Sequence, residues 1–143
     1  MIIDAQNQYS DAQAITASAA SENLIDMGSE RRIGTGQNLY LVAIVDVAFT
    51  DAGSDSTVTI TIETDALAAF GSPTTIQTIG TFGALSAIGA RLIARLAPEA
   101  LFEQFHRLFY TVANGNLTTG SITAFLTHDI DAFTAYPSGF TIS

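Results

Sequence analysis

Residues 105–127, FHRLFYTVANGNLTTGSITAFLT, constrain the fold more than any other stretch. Two runs rich in Thr, Val, Ile and aromatic residues flank Asn114-Gly115. Side chains of that kind fit a pleated, half-buried surface. The Asn-Gly pair tolerates positive φ at both central positions of a tight turn. The stretch therefore predicts a β-hairpin. The same vocabulary, broken by Gly, Asn and Asp, recurs from Leu39 to the C-terminus. That predicts a compact antiparallel β domain, and it names no chemistry.

The strongest strand is Leu39–Phe49. Leu39, Leu41, Ala43, Val45, Val47 and Phe49 share one face, and Tyr40, Val42, Ile44, Asp46 and Ala48 share the other. A strand apolar on both faces is central in a two-layer fold or covered by a partner. Thr57–Thr64 alternates, with Val58, Ile60 and Ile62 inward and Thr57, Thr59, Thr61 and Glu63 toward water. Residues 28–38, 50–56 and 65–75 read as connections, and 75–80 as a short strand. Residues 14–19 and 22–27 read as short strands or a weak helix, with strands favoured because Ser and Thr are frequent and the periodicity is poor.

Residues 84–97 carry two patterns. Leu85, Ile88, Leu92 and Leu96 have helical spacing, while Leu92, Ala94 and Leu96 also alternate with Arg91, Ile93 and Arg95 as a strand would. Gly89 weakens a helix, and Pro98 closes the segment and can start one helical turn over 98–101. Periodicity leaves both open. Residues 1–12 read as an N-terminal arm or edge segment, and 128–143 as a tail. About eight strands with regular turn signals predict a β-sandwich or barrel, in one domain of 143 residues.

Charge narrows the function classes. The net charge is −9, and all five basic residues are Arg: Arg31, Arg32, Arg91, Arg95 and Arg107. Phosphate binding relies on clustered cations that release counterions, so no nucleic-acid partner is expected. No apolar run approaches the ~20 residues that span a bilayer. The opening MIIDAQNQYSD has neither the basic region nor the apolar core of a signal peptide, so no membrane partner is expected either. The absence of Cys excludes disulfides, thiolate nucleophiles and Cys-bound zinc. Charged residues make up 13% of the chain, about half the ~25% usual in soluble domains. Neighbours can cover such a surface.

Candidate chemistry is thin. His128, Asp129 and Asp131 could surround a cation, but a solvated strand end is the simpler reading. His106 reads as a polar-face strand residue. Asp51–Asp55 lacks the third oxygen ligand and distal Glu of a calcium loop and reads as a solvated hairpin loop. Gly34-Thr35-Gly36 lacks the third Gly of a phosphate loop. No nucleophile elbow is present, and no pair among the fourteen acids stands out for glycoside hydrolysis. Asp46 reads as hydrogen-bonded to a loop or an Arg. The expectation is a non-enzyme without metal or cofactor. Phe133, Tyr136 and Phe140 fill the core or dock on a partner. The candidate contact residues are Tyr9, Tyr40, Arg91, Arg95, Phe133, Tyr136 and Phe140.

Five segments, taken in order, carry a family resemblance: SENLIDMG, IGTGQNLYLVAIVDVAF, VTITIETDALAAFGSPTTIQTIG, GARLIARLAPEALFEQFHRLFYTVANGNLTTGSITAFLT and AYPSGFTIS. Together they resemble the capsid cement (decoration) proteins of tailed bacteriophages, in particular the small jelly-roll cement proteins of short-tailed phages. The resemblance runs over about residues 10–143. It implies a β jelly roll, with residues 84–97 forming a strand. It implies a structural role in the virion, on the outer face of an icosahedral shell, tying neighbouring major capsid protein subunits together. It also implies a dimer or other small symmetric oligomer, and no catalytic residue. The competing reading is a non-catalytic carbohydrate-binding jelly roll of a phage tail or secreted protein. Lacking Trp, it would use Tyr9, Tyr40, Tyr110 and Tyr136 as its platform.

Overall fold

The computed structural model describes residues 3–130. Among them a short 3-10 turn, Ala5–Asn7, precedes eleven strands. These are β1 (Gln8–Ala14), β2 (Ala19–Ala20), β3 (Ile25–Asp26), β4 (Arg31–Arg32), β5 (Tyr40–Thr50), β6 (Thr57–Asp65), β7 (Thr74–Phe82), β8 (Arg91–Arg95), β9 (Leu101–Phe102), β10 (Phe105–Ala113) and β11 (Thr119–Thr127). The expected count was eight, and the excess consists of two-residue strands.

Every pairing is antiparallel. One sheet has the order β1-β11-β5-β8 and the other β2-β10-β6-β7, with β3 also on β10 and a separate β4-β9 pair. β2 and β3 act as one interrupted strand. Setting β4 and β9 aside, eight strands then lie in the orders 1-8-3-6 and 2-7-4-5, which is the jelly-roll arrangement.

The predicted hairpin at Asn114-Gly115 does not form. β10 and β11 lie in different sheets, so the turn crosses the sandwich. Its backbone is as the dipeptide demands, with φ +64° at Asn114 and +113° at Gly115. The connection runs five residues, 114–118, because packed sheets stand ~10 Å apart and a two-residue turn cannot span that gap. Asn114 Nδ2 donates to Asp55 O (3.2 Å) and Ser56 Oγ to Gly115 O (3.0 Å). These bonds lash this crossing to the neighbouring one at 50–56, which likewise joins two sheets and is no hairpin loop.

Other expectations also shift. Of the two readings of residues 1–12, arm or edge segment, the structure shows the edge from Gln8 onward, drawn in by buried Tyr9 and Ile15. β1 ends at Ala14, so 14–19 is mostly a bend. Residues 84–97 yield a strand at Arg91–Arg95, with Leu92 and Leu96 against the core. Residues 97–100 form one turn, closed by Ala100 N on Ala97 O (3.1 Å), and no helix.

The core lies between the sheets. Leu41, Ala43, Val45 and Phe49 of β5 meet Val58, Ile60 and Ile62 of β6 and Leu108 and Tyr110 of β10. The Phe49 and Phe82 rings pack edge to face, 5.8 Å between centroids. Val47 breaks the predicted alternation. β5 pairs Val45 with Ile122, Val47 with Ser121 and Thr50 with Thr119. Two extra residues in β5 turn Val47 out and then return Phe49 to the core.

Candidate functional site

Both histidines line one cleft of about 540 Å³, at the end of the sandwich where β5 begins and β11 ends. Ile25, Met27, Ile33, Leu39 and Leu126 supply its apolar wall. His106 is wholly buried, which corrects its reading as a polar-face residue. It faces inward because β10 puts His106, Leu108 and Tyr110 on the core face. Tyr9 Oη and His106 Nδ1 lie 2.8 Å apart, and the Phe102 ring packs edge-on. The Tyr9 hydroxyl has no other partner among the described residues. Its proton is therefore assigned to Nδ1, and the imidazole's own proton to Nε2. Burial lowers the His106 pKa to about 4 and, with Tyr110 close by, pushes the Tyr9 phenol well above its ordinary range. A neutral imidazole and a firmly protonated phenol make a structural bond.

The rim groups bond their own loops or a neighbouring segment. Asp4 accepts from Gln6 N (3.0 Å) and Asn7 Nδ2 (3.1 Å), and Asp26 from Gly28 N (2.7 Å) and Gln104 Nε2 (3.1 Å). Arg31 donates to Met27 O (2.7 Å), and His128 Nδ1 lies 3.0 Å from Asn38 O. Among the described residues no three His, Cys, Asp or Glu side chains converge as metal ligands. Asp131, the third member of the suggested cation cluster, lies outside them.

A second buried polar chain closes the edge of the sandwich. Ser10 Oγ donates to Gln13 Oε1 (2.6 Å), so the Tyr110 hydroxyl donates to Ser10 Oγ (2.7 Å). Gln13 also accepts from Glu22 N (2.9 Å) and donates to Ala20 O (2.8 Å). Burial raises the Tyr110 pKa far above its ordinary range.

Two features escaped sequence reasoning. Glu63, expected in water, is buried and takes a 2.6 Å bond from Arg107 Nε, whose guanidinium lies 4.1 Å from the centre of the Phe70 ring. The partners are 44 residues apart, and no local pattern marks them. Asp46 accepts from Thr123 Oγ1 (2.6 Å) on the adjacent strand, not from a loop or an Arg. In the 50–56 connection, Asp51 takes the backbone N–H groups of Ser56 (2.9 Å), Gly53 (3.1 Å) and Asp55 (3.0 Å). Those bonds hold its carboxyl well below the usual range.

The proposed contact residues separate into three groups. Tyr9 is wholly buried and offers no surface, which corrects its place among them. Tyr40, Arg91 and Arg95 come together on the outer face of the β1-β11-β5-β8 sheet, with Tyr40 directly opposite Arg95 and Ile44 opposite Arg91. Phe133, Tyr136 and Phe140 lie outside the described residues.

Fold and topology define an all-β jelly-roll sandwich in which Tyr9 bonds His106, Tyr110 bonds Ser10 and Glu63 bonds Arg107. Residues 9–126 match the Bbp16 family, and the chain belongs to that family. No curated protein matches it.

Proposed function

We propose that the protein is a structural component of a phage virion, a cement protein. It binds the outer face of an assembled icosahedral shell and ties neighbouring major capsid protein subunits together against the pressure of packaged DNA. What supports this reading is membership of the Bbp16 family over residues 9–126, joined to a jelly-roll body. The chemistry is adhesion. A small symmetric oligomer touching two capsomers makes its second contact intramolecularly, so weak contacts add up to firm attachment. A net charge of −9 with no Lys keeps free copies away from DNA during assembly.

The carbohydrate-binding reading loses ground on the tyrosines. Tyr9 and Tyr110, two of the four it needs, are in the core. Cosedimentation with expanded shells of the same phage tests the cement reading. Saturable binding to shells, with only weak binding to unassembled capsid protein, is the expected result. A protein that stays in the supernatant at every shell concentration refutes it.

A further inference from the structure

Resting on the cement reading, we propose that the loop between β7 and β8 is the plug that seats this protein on the shell. Leu85 and Ile88, with Val47 beside them, enter an apolar recess of the capsid protein that is bordered by carboxylates.

Three observations converge on this spot. The first is exposure: Ile88 is 72% exposed, Leu85 62% and Val47 49%. Large apolar side chains grouped in water mark interaction sites. The second is backbone geometry. Two successive turns build the loop, closed by Ser86 N on Gly83 O (3.3 Å) and Ala90 N on Ala87 O (3.1 Å). Each has positive φ at its third residue, +84° at Gly89 and +64° at Leu85. Glycine suits that position, whereas leucine is strained there and holds a bulky apolar side chain in solvent. The third is the irregularity of β5, whose extra residues turn Val47 out of the core.

The plug is also preformed. Gly89 N bonds Val45 O (2.8 Å), Val45 N bonds Ala90 O (2.9 Å) and Phe49 N bonds Ser86 O (3.1 Å). The loop therefore runs alongside Val45–Phe49, with Val47 between its fixed ends. A rigid apolar element loses little conformational freedom on docking. Charge specifies the rest of the partner. On a chain of −9, two of the five cations, Arg91 and Arg95, follow the loop on the exposed side of β8, with Ile93 between them. They suit carboxylates around the recess.

The test compares Ile88→Asp, Leu85→Gly and Arg91→Gln with the wild type in cosedimentation with expanded shells, alongside melting temperature and mass by light scattering. Ile88→Asp and Leu85→Gly should each weaken shell binding at least tenfold. Leu85→Gly should do so without lowering the melting temperature, because Gly accepts that φ freely. Arg91→Gln should weaken binding severalfold and reduce its salt dependence. Wild-type binding by Ile88→Asp or Leu85→Gly overturns the plug and leaves the cement reading standing. A change in the mass of free Ile88→Asp overturns it too, since the patch would then join copies of this chain. If the wild type itself ignores shells, the cement reading falls and the plug falls with it.

Discussion

His106 lines the cleft yet is almost wholly buried, and its titration follows from that. The native pKa is lowered to about 4 by burial, against ~6.5 for the unfolded residue. Between these values the unfolded chain binds more protons than the native one, so stability rises with pH. The contribution is complete above pH ~6.5 and is lost as pH falls toward ~4, about 3 kcal/mol in all. Urea unfolding across that window should show the decline, and His106→Gln should flatten it. Asp51 and Asp65 act lower on the scale. Backbone N–H groups hold both carboxyls below their ordinary values, so their stabilisation is lost only as pH falls below that of a free carboxylate. None of this was legible beforehand. A lone His within FHRLFY gives no sign that Tyr9, 97 residues away, lies over it.

At the scale of the element, β11 packs closely on β5, its neighbour in the same sheet. Gly120 has φ +152°, and a Cβ built there would overlap the Phe49 ring. Gly120→Ala should therefore cost about 3 kcal/mol through overpacking, read as a fall in the urea midpoint with an unchanged slope. Edge strands show a different economy. β1 and β7 each carry two extra residues against their partners, and β8 is five residues long with Arg at both ends. Irregular or short, charged edges resist pairing with other chains. Sequence alternation found β6 because its first half has one face in the core, whereas at Arg91–Arg95 alternation left helix and strand open and only the family resemblance implied the strand. It missed Val47 because an inserted residue reverses the faces and leaves no mark on the pattern. It placed a hairpin at Asn114-Gly115 because turn chemistry is local, whereas the choice of partner strand is not.

For the whole molecule, the two sheets share a single core and neither can keep it alone. Unfolding should be one cooperative transition. With no Trp in the chain, emission comes from Tyr, and Tyr9 and Tyr110 are buried in the core. Tyr fluorescence and far-ultraviolet circular dichroism should give coincident urea midpoints. Separate midpoints would mean that the sheets melt apart. Strands paired across most of the chain, such as β1 with β11, also make folding slow for its size, in milliseconds to seconds.

Composition and alternation alone determined the class of fold, the strong strands β5, β6 and β10, and an acidic surface without Lys. These depend on nearest neighbours and on totals, which the order of residues carries directly. Only the tertiary structure decided that β10 and β11 separate into two sheets, that Tyr9 and His106 bond in the interior, that Glu63 leaves water for Arg107, and that Val47, Leu85 and Ile88 stand exposed together. Each of these depends on which distant segment the chain meets when it closes over its core, and free energy summed over many contacts makes that choice.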